Sequence, residues 1–438
     1  MKPTIGLKQK KVSIVLQDKT TIPNAYVGLA PFRSEFYLTP DQNSFELGSL
    51  PWDKQLAIHE YRHVQQYNNF NVGFSKAVSV IFGQGGQAIA NSIAIPDWFF
   101  EGDAVYNETL VSRQGRGRLP FFYNGYRALW AANKNYNWMK LRNGSLKDYV
   151  PDWYPLGYML VAYGREKYGN EVWRNITHDA ASFNGVFYPL QSAVKKYTGK
   201  SFKDYRSDGL NYFKQQYQYT TTDQASGNVV INREFPAYVN DSTLVYVKST
   251  YSKVPQFTLN KSGAEYKIKT RSRSLDNYFD YHNGLIVYAA YRPDLRWTYR
   301  DYSELRILNI NTGAEKQLTH GTKYFAPAFN ASGTQIVTVK TIAGQSKLHI
   351  LNTGNGSVVN ELPNPNKLLY TYPKFYKDDT LVSAIRNPKG EMSICLTDIK
   401  TGREQYLLPF SYNPIAFLAV SNNRVYFSAT SGKNDRLF

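Results

Sequence analysis

The sequence predicts two domains of different class, an α+β domain followed by an all-β repeat domain. Three observations carry this. Up to about residue 219, apolar residues recur with helical spacing in long runs, preceded by a few strand-like stretches. Beyond about residue 234, short apolar strands alternate with polar turns and the helical spacing almost vanishes. Between them, Thr220 to Asn228 is small and polar, the composition of a linker. The expected boundaries are 1–219, a linker over 220–233, and 234–438.

Composition narrows the class. A chain of 438 residues is longer than one ordinary domain of roughly 100–200. Its 36 Tyr and 24 Phe supply large rings that a disordered chain would leave unburied. No stretch stays apolar for about 18 residues, so no transmembrane segment is expected. The nearest approach, Ala77 to Ile95, is broken by Gln84, Gly85, Gly86, Gln87 and Asn91. Cys395 is the single cysteine, which excludes an internal disulfide and a Cys-based zinc knuckle. Met1-Lys2-Pro3 leads straight into a strand-like stretch with no signal peptide, so any leader is expected to have been removed. The net charge of +18 is spread evenly, +8 over residues 1–225 and +10 over 226–438. A nucleic-acid binder gathers its charge on one face, so no nucleic-acid partner is expected.

The first strand-like stretches are Val12–Leu16, Ala25–Ala30 and Glu35–Leu38. Next, Asp53 to Tyr67 contains neither Pro nor Gly and suits a helix. It carries His59-Glu60-Tyr61-Arg62-His63. Residues four apart share a helix face, so His59 and His63 point at one spot where two imidazoles can hold one metal ion. Glu60 stands beside them, able to act on a water there. The bland alternative is two packed histidines on an amphipathic helix with Glu60 on the surface.

The next helix is expected to start at Pro96-Asp97, with Asp97 as its N-cap. Trp98, Phe99 and Phe100 anchor it in a core, which draws the adjoining Glu101 inside. A buried carboxylate needs a partner, and one zinc ion held by His59, His63 and Glu101 would be a sufficient one. Glu108, seven residues on and on the same face, suits a role behind a ligand histidine, with Asp103 a weaker candidate for that role. Gly102 and Ala104 are small enough to admit another helix. Simple attraction of Glu101 to the helix dipole is the competing explanation.

With these residues on the page, HExxH followed by Trp98-Phe99-x-Glu101-Gly102-x-Ala104-x-Tyr106-x-Glu108 resembles the gluzincin (peptidase MA-like) zinc metallopeptidases. That resemblance implies a zincin-like, thermolysin-like α+β fold and one Zn²⁺. It also implies a hydrolase that cuts peptide bonds of a peptide or protein substrate. The spacing from His63 to Glu101 exceeds that of the aminopeptidase branch. Tyr154-Pro155-Leu156-Gly157 matches the Tyr-x-x-Gly that gives such enzymes an oxyanion-binding phenol, with Tyr158 as runner-up. By the same resemblance a sheet edge near Gly28 would pair with substrate. Arg116 and Arg118, with Arg113, would line the cleft rim, unless they are plain surface charge.

The second half repeats. A polar turn and a short apolar strand recur around Val245, Val287, Val337, Val382 and Tyr426, spaced by 42, 50, 45 and 44 residues. A strand ending in a Gly turn recurs at Asn309 to Gly313, Asn352 to Gly356 and Asp398 to Gly402. A period of about 40–50 residues marks β-propeller blades. The stretch resembles TolB-like or WD-type propellers, with about four and a half blades, the fifth stopping after one hairpin and the domain expected to be truncated. The propeller is expected to dock or gate, with a protein partner. The TolB-like resemblance implies an extracytoplasmic location, periplasmic, envelope or secreted. The rival function is a catalytically idle zinc domain on an envelope scaffold.

Overall fold

The computed structural model describes residues 4–48, 50–217 and 230–438. The expected linker over 220–233 falls for the most part outside them. In chain order the first elements are strands β1 (Ser13–Gln17), β2 (Ala25–Leu29) and β3 (Phe32–Tyr37). The short helix α1 (Ser44–Leu47) and helices α2 (Trp52–Asn69), α3 (Gly73–Ala94) and α4 (Asp97–Val111) come next. They are followed by α5 (Asn124–Ala131), α6 (Trp138–Asn143), α7 (Trp153–Tyr168), α8 (Val172–Ala181), α9 (Pro189–Thr198) and α10 (Phe202–Gln216). The described residues divide into two compact units, the first from residues 4–16, 24–36 and 53–217, the second from 17–23, 37–52 and 230–438.

The first unit is helical with a small sheet of order β1-β3-β2. Gly28 therefore lies on an edge strand, paired on one side with Arg33 of β3. The helical core gathers Trp98, Phe99, Trp173 and Tyr205, with the Phe99 and Trp173 rings 4.8 Å apart. Helix α4 starts one residue earlier than expected. Pro96 is the N-cap in extended conformation and Asp97 is the first helical residue, with no side-chain capping bond. Proline fixes its own backbone and needs no donor there, so the cap role passes to it.

Helix α3 is two helical arms meeting at Gly83, whose φ of 65° and ψ of −158° leave the helix. The second arm folds back on the first. A methyl at Gly86 would stand 2.9 Å from the Val78 carbonyl oxygen, a closeness only glycine permits. Helices α4 and α7 cross backbone to backbone at Gly102 and Gly157, where a methyl on either would collide with the other helix. The expected close approach at Gly102 is thus made by α7, and it fixes where the start of α7 lies relative to α4.

The second unit holds four four-stranded antiparallel meanders, over residues 231–270, 279–317, 324–361 and 369–406, and a three-stranded one over 415–437. These are propeller-type blades. Val245, Val287, Val337, Val382 and Tyr426 each fall in the second strand of their own sheet. The fifth sheet carries three strands where one hairpin was expected, because residues 434–437 pair back onto Arg424–Ser431. In the recurring Gly turns, Asn309, Asn352 and Asp398 each accept two following backbone N–H groups, while Gly313, Gly356 and Gly402 take left-handed φ of 70°, 73° and 71°.

The innermost strands share a bulge that the sequence reading missed. Register slips at Phe235, Ala326, Tyr372 and Phe417, all with φ of 45–56°. Such bulges bend a strand and re-aim its side chains. Here they turn aromatic rings toward one another: Phe235 and Tyr372 each meet Tyr278 edge-on and Phe417 at a tilt, at 5.1–5.6 Å. The prolines that follow three of them, Pro236, Pro327 and Pro373, were the available signal. Phe45 of α1 adds its ring 5.9 Å from Phe417.

Candidate metal centre

Two helices build the site. On α2, His59 and His63 stand one turn apart on the buried face. On α4, the packed rings of Trp98 to Phe100 hold the first turn against the core, and Glu101 follows them into the site. One ligand atom from each of His59, His63 and Glu101 lies within 4.8 Å of the others. His59 Nε2 is 3.1 Å from Glu101 Oε2 and 3.3 Å from His63 Nε2, and His63 Nε2 is 3.5 Å from the same oxygen. The structure brings these three side chains together around one point.

The other nitrogen of each ring is held from behind. His59 Nδ1 is 3.1 Å from Glu108 Oε2. His63 Nδ1 is 2.8 Å from Gln66 Oε1. The Gln66 amide cannot turn round, since its Nε2 donates to the Phe100 carbonyl at 3.0 Å and to Asp103 at 2.9 Å. Both rings are therefore held by Nδ1 and turn Nε2 toward the shared point, where a bound cation would take the Nε2 lone pairs; Arg116 Nη2 also lies 3.1 Å from His59 Nδ1. Glu108 thus lies behind His59, on the side away from His63 and Glu101. Asp103 reaches His63 only through Gln66. It is fully buried and takes Arg62 in a fork, at 2.6 and 3.0 Å, and Arg165 at 2.6 Å. Gln66 was missed, although a position three residues after His63 on the same helix is within reach of its ring.

Arg116 is not a free cation of the rim. It forks onto Glu108 at 2.5 and 2.9 Å, and its guanidinium lies 5.7 Å over the Tyr154 ring. Arg118 is tied to the Ser112 carbonyl at 2.8 Å. Tyr154, near the start of α7, comes into the site: its ring stacks 6.5 Å from His59 and its hydroxyl interacts with Glu101. Tyr158 instead packs in the aromatic core, against Tyr106, Phe122 and Tyr123. Among the described residues, the atoms nearest a methyl placed at Gly28 belong to Pro31, Arg33 and Tyr26.

Charge follows the geometry. Burial works against a charged His59, yet hydrogen bonds to Glu101 and Glu108 outweigh it and lift its pKa to about 10. His63 is raised in the same way by Glu101 against burial. Burial also opposes an ionised Glu101, but His63 and His59 hold it well below the ordinary carboxylate range. Glu108 is held down at about 2 by Arg116 and His59, against its burial. Glu60 moves the other way: burial pushes its pKa up, with only partial compensation from His63 and His59.

The donor set suits zinc. Two imidazoles and one carboxylate are a catalytic zinc set, and a dication there would balance the Glu101 carboxylate and accept both Nε2 lone pairs. Glu60 is buried and its Oε2 has no hydrogen-bond partner. A buried carboxylate oxygen without a partner is costly and marks a place for a water or substrate proton.

No protein-family model matches the chain, and no curated protein sequence matches it. Solved structures do. A putative TolB from Agrobacterium tumefaciens is 15% identical over 38% of this chain and 61% of its own, with a TM-score of 0.33. TolB from Acinetobacter baumannii is 19% identical over 48% of this chain and 54% of its own, with a TM-score of 0.34. The β-propeller domain of the Trilobed protease from Pyrococcus furiosus is 12% identical over 47% and 81%, with a TM-score of 0.32. The chain thus spans less than two thirds of either TolB structure. Among the described residues, no helix is long and apolar enough to cross a membrane.

Proposed function

We propose that the first unit is a gluzincin-type zinc-dependent peptide-bond hydrolase acting on a peptide or protein. The observation that supports it is the convergence of His59, His63 and Glu101 with both histidines locked from behind. His59 Nε2, His63 Nε2 and the Glu101 carboxylate would hold Zn²⁺. When bound, zinc supplies a Lewis acid that polarises a carbonyl and acidifies water. Glu60 takes the proton of the attacking water and passes it to the leaving amine. Its raised pKa and partnerless oxygen suit both halves of that exchange. The Tyr154 hydroxyl, kept protonated by burial and by Glu101, donates to the carbonyl oxygen as charge builds there. Arg116 and Glu108 hold His59 in place. The second unit would serve as a docking module for a protein partner, and the extracytoplasmic location belongs to the same proposal.

Glu60→Gln tests it. The variant should keep its zinc and lose hydrolysis of a peptide library by about 10²–10⁴-fold, the worth of a general base. Wild type and variant behaving alike on every peptide would favour the idle scaffold.

A further inference from the structure

The two-armed helix α3 ends in a protruding apolar tip that no part of the metal site uses. Val80, Ile81 and Phe82 are 78%, 72% and 69% exposed, and Gly83, Gln84 and Gly85 after them are exposed too. Consecutive exposed residues on a helix face every direction, so the apolar side chains of the tip are open to solvent, while Gln84 Oε1 accepts from the Phe32 N–H at 3.1 Å and ties the bend to the start of β3. Phe74, seven residues before Ile81, shares its face and is also exposed. At the base of that arm the Phe74 ring meets Phe183 at 4.9 Å. Phe183 begins a loop that displays Val186, Phe187 and Tyr188, with Phe187 88% exposed. Val186 is held there at φ 44°, a conformation a β-branched residue adopts only under strain.

The helix that carries the tip has charge of one sign, and nearby Asp179 and Glu35 are each paired with a cation, Lys196 and Arg33. Residues 70–96 contain no carboxylate and one cation, the exposed Lys76. Beside the start of α3 runs the exposed basic segment of Lys8, Lys10 and Lys11, anchored by Lys8 to Asn69 and to the Asn71 carbonyl. A convex apolar tip flanked by lysines is the pattern of a protein that sits on an anionic bilayer, rings and aliphatic chains among the acyl chains and ammonium groups at the headgroups. A second copy of this chain fits poorly. Pairing the tips would set lysines against lysines in a molecule of net charge +18.

We infer that the first unit docks on an anionic lipid surface through the α3 tip, with the 186–188 loop and the lysines of residues 8–11 as flanking contacts. The inference is independent of the metal site. The test is flotation of the full chain with vesicles of phosphatidylcholine alone and with about one-third phosphatidylglycerol. Wild type should float with the anionic vesicles and lose binding in high salt. The double variant Ile81→Ser/Phe82→Ser, whose altered side chains are exposed and whose thermal melt should be unchanged, should bind at least about tenfold more weakly. Phe82→Trp should shift its emission to the blue on anionic vesicles and be quenched by brominated acyl chains. Failure of wild type to float would overturn the inference. So would full binding by the double variant with no emission shift at Trp, which would leave charge alone as the cause. A dimer in light scattering that the double variant abolishes, without vesicle binding, would assign the tip to a second copy instead.

Discussion

Gln66 faces His63 with its amide oxygen, 2.8 Å from Nδ1, because Asp103 and the Phe100 carbonyl hold its amide nitrogen. The relationship links a ligand candidate on α2 to the buried cluster of Arg62, Asp103 and Arg165. It also makes the ring's orientation a property of the core, not of the ligand alone.

Removing that support should therefore weaken metal binding without touching a ligand. Gln66→Leu should lower zinc affinity by about 10–100-fold, the usual effect of losing an outer partner. Competition against a chromophoric chelator measures it. An unchanged affinity would mean that the Nδ1 contact does not orient His63.

Gly102 and Gly157 should be as sensitive as the site itself. A methyl at Gly157 would collide with the Trp98 carbonyl, and one at Gly102 with the Gly157 backbone. Gly157→Ala should cost stability by several kcal/mol, in the range of an overpacked or cavity-forming core change. Because Tyr154 lies on the same helix start, the variant should also lose turnover beyond its loss of stability. Urea denaturation beside assays well below the melting point separates the two.

The pH dependence has a definite sign. In the metal-free protein the folded-state pKa of His59, about 10, lies above its ordinary value of 6.5. The folded state then holds more protons than the unfolded one between these values, so His59's contribution is complete below about 6.5 and lost as pH rises toward 10. The melting temperature of the metal-free protein should fall over this window, and the zinc-loaded protein should lack that part of the slope. Zinc uptake at neutral pH should displace the His59 proton, a release read by calorimetry in buffers of different ionisation enthalpy.

How much of this was legible in sequence depends on distance along the chain. His59, Glu60 and His63 lie within one helical turn, where spacing alone sets the geometry. Glu101 and Glu108 were accessible because the rings of Trp98 to Phe100 declare which face of α4 is inside. The blade repeat was legible through its turns, since Asn309, Asn352 and Asp398 each organise their turn locally. Arg116 was misjudged as a rim residue, because pairing with Glu108 depends on how the loop after α4 folds back. The inner-strand bulges escaped for a similar reason: a register slip belongs to a pair of strands, and only the prolines beside it leave a trace in one of them. The two arms of α3 were hidden by a Gly-rich stretch that fits a loop equally well.

His59, His63 and Glu101 are proposed to form one zinc site. Elemental analysis of the purified wild type and of Glu101→Ala tests it most directly. About one zinc per wild-type chain and marked loss in the variant are expected. A wild type that holds no zinc even after incubation with the ion at neutral pH would contradict it.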